Sequence, residues 1–300
     1  MRRLSILILA VSVAVFSLFI NPANGGVATM ADYCIVPPFV STAVPPNIMI
    51  MLSVEGPMQG ATHPDITCTG DPKTSYSCSP ASCRTTSSGR HVSNCYDNTK
   101  DYYGYLDPSK CYTYSGSGSS AKFEPSTATT NHQCSGSWSG NFLNWATMTA
   151  VDAFRKALTG GNRSTDSGSE TVLLGARQTL KFGHSWFPIK RIDSANLYTS
   201  HSGTIYIVRY ANGFAICNNS NCQLKEGTGC PGENCFPVKE KVCSHDNSII
   251  CASSGDCGGN SCVDDPRVLA LYNLKVKVCD SSKGLESNCD ESSKKPEGVI

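Results

Sequence analysis

Seventeen cysteines in 300 residues, set in two groups, limit this chain more than any other feature. Cys34, Cys68, Cys78, Cys83, Cys95, Cys111 and Cys134 form the first group. Cys217, Cys222, Cys230, Cys235, Cys243, Cys251, Cys257, Cys262, Cys279 and Cys289 form the second, and residues 135–216 contain none. Residues Met1–Gly25 have the anatomy of an export signal. Arg2 and Arg3 precede an apolar run from Leu4 to Ile20, and Ala23 and Gly25 suit cleavage just after Gly25. Cysteines behind such a signal predict disulfides, because exported compartments are oxidising. The apolar run is slightly short to span a bilayer and no second one follows, so no integral membrane segment is expected after cleavage. Cys34 follows Ala31-Asp32-Tyr33, well past that run, which removes a lipoprotein signal.

The spacings exclude other uses of cysteine. No Cys-x-x-Cys-His attaches a haem, no paired Cys-x-x-Cys motifs build a zinc ribbon, and the thioredoxin signature is absent. The first group has seven members, so at least one stays free or pairs outside it; the connectivity stays open. Cys243, Cys251, Cys257 and Cys262 surround Gly258-Gly259 and read as a small self-contained knot. The distribution predicts one domain over residues 26–300, with disulfide-rich insertions at about 59–134 and 217–289 and a conventional core between them.

That core is organised on Cys134–Gly161, CSGSWSGNFLNWATMTAVDAFRKALTGG, which predicts one long amphipathic helix. Leu143, Ala146, Ala150, Val151, Phe154, Ala157 and Leu158 share a face. Asp152 precedes Lys156 by four residues, the favourable order for a helical ion pair. Ser139-Gly140 sits at an N-terminal cap, and Gly160-Gly161 supplies the closing residue. Phe142 and Trp145 fall off the apolar face. They are partly exposed, or a second layer from the disulfide-rich segment before Cys134 covers them.

Other segments complete the outline. Ile48–Leu52 is a continuous apolar run between Pro-Pro and Gly-Pro, the pattern of a strand buried on both faces. Glu170–Leu180 predicts a shorter helix. Residues 204–208 and 213–216 bracket Ala211-Asn212-Gly213, a hairpin signal. Leu269–Val278 alternates towards its end and predicts a strand returning to the sheet. Tyr102, Tyr103, Tyr105, Tyr112 and Tyr114 cluster in the first insertion. Tyrosine combines a flat apolar body with a polar tip, which suits recognition, although Tyr103 and Tyr105 also suit a local mini-core. The candidate partner-facing residues are Phe142, Trp145, Tyr102, Tyr112 and Tyr114.

Charged residues are 16% of the chain and the net charge is +1, with no basic stripe, so nucleic acid is excluded as a partner. No Gly-x-Ser-x-Gly, His-Glu-x-x-His or convincing carboxylate pair supports a hydrolase. In His184-Ser185-Trp186 the adjacent side chains have no special geometry for proton transfer. Asp256, Asp264 and Asp265 do not form a calcium loop.

Six blocks, in order, resemble the PilY-type family of type IV pilus tip-associated proteins. They are Tyr33–Val40 (YCIVPPFV), Tyr102–Pro108 (YYGYLDP), the Ser135–Gly161 stretch, His184–Trp186, Val276–Cys289 (VKVCDSSKGLESNC) and the closing KPEGVI. The resemblance implies an α/β fold, an incomplete von Willebrand factor A (vWA)-like doubly wound sheet with two disulfide-rich insertions. The family's metal turn, Asp-x-Ser-x-Ser, is degenerate here: Ser53, Glu55 and Pro57 stand at its three positions. Pro57 has no side-chain oxygen, so no cofactor is expected, although a divalent cation occurs in the family. The rest of the sheet and a carboxyl-terminal β-propeller would follow Ile300, making this a natural short form, a truncated product or the front of a split protein. The implied function is non-enzymatic pilus assembly and adhesion at the periplasm, cell surface or pilus tip. Partners would be pilus-tip components, a separately encoded propeller half, or a host or abiotic surface. The alternatives are a secreted disulfide-rich binding module unrelated to pili and a secreted hydrolase.

Overall fold

The structure, a computed structural model, describes residues 55–71, 75–230 and 234–299. The export signal, the Ile48–Leu52 strand, Ser53, Cys34 and the side chain of Cys68 lie outside the described residues.

Twelve strands build two six-stranded sheets. They are β1 (Arg84–Ser87), β2 (Arg90–Ser93), β3 (Lys110–Ser115), β4 (Lys122–Ala128), β5 (Trp138–Ser139), β6 (Arg163–Asp166), β7 (Thr171–Leu174), β8 (Ile189–Ile192), β9 (Ile205–Tyr210), β10 (Gly213–Cys217), β11 (Val268–Asn273) and β12 (Lys275–Val278). The first sheet has the order β11-β10-β9-β8-β2-β1 and the second β5-β3-β4-β12-β7-β6. Only β8 with β2 and β12 with β4 pair in parallel in these sheets. The fold is therefore mixed α/β, as expected, but these sheets are mostly antiparallel where a doubly wound sheet was expected. Residues 59–134 are also more than an insertion: they supply β1–β4 and the buried rings of Tyr105, Tyr112 and Phe123.

The expected hairpin forms, with Tyr210 opposite Gly213 and Val208 opposite Ala215. Alternate residues of β9 and β10 point to opposite faces, as the strand period requires. Ile205, Ile207, Phe214 and Ile216 join the main core, while Val208, Ala215 and Cys217 join a smaller cluster with Val92 and Val268. The predicted returning strand is divided. β11 extends the first sheet, Leu274 is fully buried at the crossing, and β12 pairs β4 and β7 in the second. One short segment thus ties both sheets to one core.

The single long helix is broken in two: α1 spans Gly140–Thr147 and α2 spans Ala150–Thr159. Ser139 caps α1, accepting from the Phe142 amide at 3.2 Å. Met148 is extended, and Thr149 with Asp152 forms a capping box that starts α2 afresh. Gly160 closes α2 at φ 78°, a conformation cheap only for glycine. Every residue of α1 is buried. Residues 170–180 contain β7 rather than a helix. Thr171–Leu174 is buried throughout and hydrogen-bonded to strands on both sides, so pairing partners override a helical spacing.

All described bridges stay within their cysteine groups. Cys83–Cys95 and Cys111–Cys134 lie in the first. Cys217–Cys222, Cys230–Cys235, Cys243–Cys257, Cys251–Cys262 and Cys279–Cys289 lie in the second. Cys78 is disulfide-bonded as well. The expected knot closes a three-stranded sheet of Lys241–Cys243, Asp246–Ile250 and Cys262–Asp264.

Candidate functional site

Four of the five candidate partner-facing residues belong to the core. Phe142, Trp145 and Tyr112 have no exposed surface and Tyr102 is 8% exposed. Tyr96, from the disulfide-rich segment before Cys134, packs its ring on Phe142 at 5.1 Å and on Trp145 at 5.5 Å. The second layer therefore exists, and it removes both rings from any partner. The Trp145 indole N–H donates to Asp65 at 3.2 Å, and Lys190 pairs with the same carboxylate at 2.7 Å. Lys190 also lies 4.4 Å from the Trp145 ring centre. The lysine partly offsets what burial costs Asp65, and with hydrogen bonds from Ser93 and Trp145 the carboxyl stays below its ordinary pKa.

Two asparagines explain the Tyr102–Pro108 block. Asn141 accepts from the Tyr102 amide at 2.7 Å and donates to the Lys100 carbonyl at 2.8 Å. Asn144 accepts from Leu106 and donates to the carbonyls of Tyr102 and Leu106. A Cβ on Gly104 would stand 2.2 Å from the Asn144 oxygen, so only glycine lets the loop approach. Sequence reasoning missed both asparagines; their i, i+3 spacing beside Trp145 was the available signal.

Helix α2 is inverted. Its buried residues are Val151, Asp152 and Lys156. Asp152 accepts from Thr149 and from the Ala176 amide, at 2.8 Å for the latter. Lys156 donates to the Gly104 carbonyl and lies 4.4 Å from the Tyr103 ring centre, so the surface ion pair expected between these two gives way to inward partners. Burial lowers the Lys156 pKa to about 8. Ala150, Ala153, Phe154 and Leu158 are half-buried and Ala157 is exposed, with Leu158 two turns beyond the buried Val151. A helix against a core normally turns its apolar face inward.

Both ends of the described domain run along this outward face. The Ala150 amide bonds the Gly60 carbonyl, and the Val299 amide bonds the Ala157 carbonyl. Trp186 packs over Gly56 and Gly60 yet is 46% exposed, and Val299 is 78% exposed. Contiguous exposed apolar surface marks interaction sites.

A second feature is an aromatic cleft of about 300 Å³. Tyr112, Tyr114, Ser137, Trp138, Ser200 and Tyr272 line it. Here the structure places Tyr114, half-buried, its hydroxyl accepting from the Asn273 amide at 2.8 Å.

Three clusters among the described residues bring potential metal ligands together. The cysteine-containing clusters with ligand-like spacing are Cys243–Cys251–Cys257, Glu226–Cys230–Cys235 and Cys279–Glu286–Cys289. Every cysteine in them is oxidised to a disulfide, so no thiolate is offered. Glu55 is exposed at the start of a 3-10 turn, Gly56–Gln59, that contains Pro57. No helix among the described residues is long and apolar enough to cross a membrane.

Comparison with known proteins agrees with the blocks read from the sequence. A family model described as PilY1 homolog, small alpha/beta domain, matches residues 93–237. Two relatives from Xylella fastidiosa, each named type IV pilus biogenesis factor PilY1 homolog, are 32% and 29% identical to this chain, each over 66% of it. The matches cover 16% and 14% of those relatives, so the chain spans a small part of their length. No solved structure matches it. The matched residues contain α1, α2, the Tyr102–Pro108 loop and the central hairpin, and over them the chain is similar to the PilY1-type family.

Proposed function

We propose that this chain is a non-enzymatic type IV pilus biogenesis factor, exported to the periplasm, cell surface or pilus tip, where it contributes to adhesion. The name of its relatives supplies the link to pili. The observation that carries a binding role is α2, which buries Asp152 and Lys156 while leaving Phe154 and Leu158 only half-buried and Ala157 exposed. That face is the docking surface, and its partner is a pilus-tip component.

The test is complementation of a strain lacking the encoding gene. The wild-type chain should restore surface pili and attachment. Phe154→Asp with Leu158→Asp, exported in equal amount, should not. Normal piliation in the deletion strain would sink the pilus assignment. Full rescue by the double variant would sink the docking face.

A further inference from the structure

The aromatic cleft is a separate candidate and uses no residue of α2. Tyr114 and Tyr272 come from strands in different sheets and meet edge to face, ring centres 4.8 Å apart at 71°. Packing fixes both rings. Tyr272 stacks on Phe214 at 5.1 Å and abuts Trp138 at 4.9 Å, while Tyr114 packs on Phe123 at 4.8 Å. The Tyr272 hydroxyl shares a hydrogen bond of 2.7 Å with His201 Nε2. Burial lowers the His201 pKa, which keeps that ring neutral at neutral pH.

The chemistry of the lining is selective. Its side-chain polar groups, other than the indole of Trp138, are hydroxyls: Thr113, Ser137, Ser200 and the tyrosines. A hydroxyl both donates and accepts. No carboxylate, ammonium or guanidinium lines the cleft, so nothing there offsets the desolvation of a charged ligand. A proline-rich peptide would want an indole donor at the surface, and Trp138 is only 1% exposed. What fits the partly accessible rings of Tyr114 and Tyr272, edged by hydroxyls, is a neutral molecule with an apolar face and a hydroxylated edge. A volume of about 300 Å³ suits one or two pyranose rings. We propose that the cleft between Tyr114 and Tyr272 binds a neutral saccharide.

The experiment uses the full exported chain with its disulfides intact. Saturation-transfer NMR and calorimetry are run against methyl glycosides of glucose, galactose, mannose and N-acetylglucosamine. At least one should bind in the millimolar range, as a small open site allows. Tyr272→Phe keeps the ring and removes one hydroxyl; it should weaken binding about tenfold, the worth of one hydrogen bond. Ser200→Ala should weaken it less, and Phe154→Asp in α2 should leave it unchanged. Melting curves of Tyr272→Phe and Ser200→Ala confirm that each folds. No transfer to any glycoside, or binding that survives Tyr272→Phe at full strength, overturns the proposal. So does a choline salt or a proline-rich peptide that occupies the cleft while the sugars do not.

Discussion

Residues 140–159 and residues 241–264 are similar in length and are held by opposite means. In the first, α1 is buried on all sides, and Phe142, Leu143 and Trp145 have no exposed surface. Caps at Ser139 and Thr149 satisfy backbone amides there, and the carboxamides of Asn141 and Asn144 satisfy carbonyls of the loop packed against α1. In the second, the strand Asp246–Ile250 is largely exposed, and what lies inside is Val242 and four half-cystines, one of them only partly buried. Apolar packing requires a wide surface taken from water. A short loop-rich segment lacks that surface, so it relies on bridges that restrict its unfolded chain. The same polypeptide thus uses a core where it has helices and sheets, and staples where it has turns.

The largest effects should separate these regions most clearly. Phe142→Ala and Trp145→Ala should each cost about 3–5 kcal/mol, the range for aromatics truncated inside a core. The pair together should abolish cooperative urea unfolding while the knot keeps its bridges. A double variant that unfolds like the wild type would show that Tyr96 and its neighbours do not bury these rings in solution.

The converse change is smaller and local. Cys243 and Cys257 close a loop of 14 residues, and Cys243→Ser with Cys257→Ser should cost the knot about 3 kcal/mol. Amide exchange should accelerate across residues 241–264 and remain slow in β9 and β10. Equal loss of protection in both regions would mean that the knot and the core unfold as one unit.

Particular residues show why part of this was legible in the sequence. Ser139 and Gly160 mark the outer ends of the helical stretch because caps are local chemistry. The knot and the 205–217 hairpin are equally local. The break at Met148 was written in Thr149-x-x-Asp152, but continuous apolar spacing concealed it. Asp152 and Lys156 have the spacing of a surface pair, and their inward partners at Ala176 and Gly104 are distant in sequence. Residues 170–180 have helical spacing, yet β6 and β12 draw Thr171–Leu174 into a sheet. For the cleft, the tyrosine cluster pointed to Tyr114. Ser200, from the loop before β9, and Tyr272, from β11, are distant from Tyr114 in sequence, and no local pattern announces that they meet.

Lys156 brings a smaller, pH-dependent term into the packed region. Its pKa falls from the usual 10.5 to about 8, chiefly through burial, with Asp107 opposing. Below pH 8 both folded and unfolded chains carry the ammonium, and the folded one bears the desolvation cost. Between about 8 and 10.5 the folded chain releases its proton while the unfolded chain keeps it. Stability from this group therefore rises with pH across that window, by an amount on the order of 3 kcal/mol. Lys156→Met should flatten the rise. The buried hydroxyls of Tyr105 and Tyr112, raised by desolvation, act in the opposite sense once free tyrosine ionises. The comparison is therefore between wild type and variant at each pH. An unchanged slope in Lys156→Met would place the ammonium in solvent.

The smallest expected effect tests the inverted helix itself. Leu143 and Leu158 sit on adjacent helices and were expected on one apolar face. Leu143 is fully buried and Leu158 is only half-buried. Leu143→Ala should cost about 2–5 kcal/mol, because it leaves a cavity in the core. Leu158→Ser should cost less, about 1–2 kcal/mol, because part of its side chain stays in water and no closed cavity is left. The same change should lower self-association of the isolated chain in sedimentation, since it removes apolar area from an exposed strip. Two similar losses of stability would mean that α2 packs its apolar side inward in solution. Phe154, Ala157 and Leu158 would then be ordinary core, and the docking surface would have to be sought elsewhere on the domain.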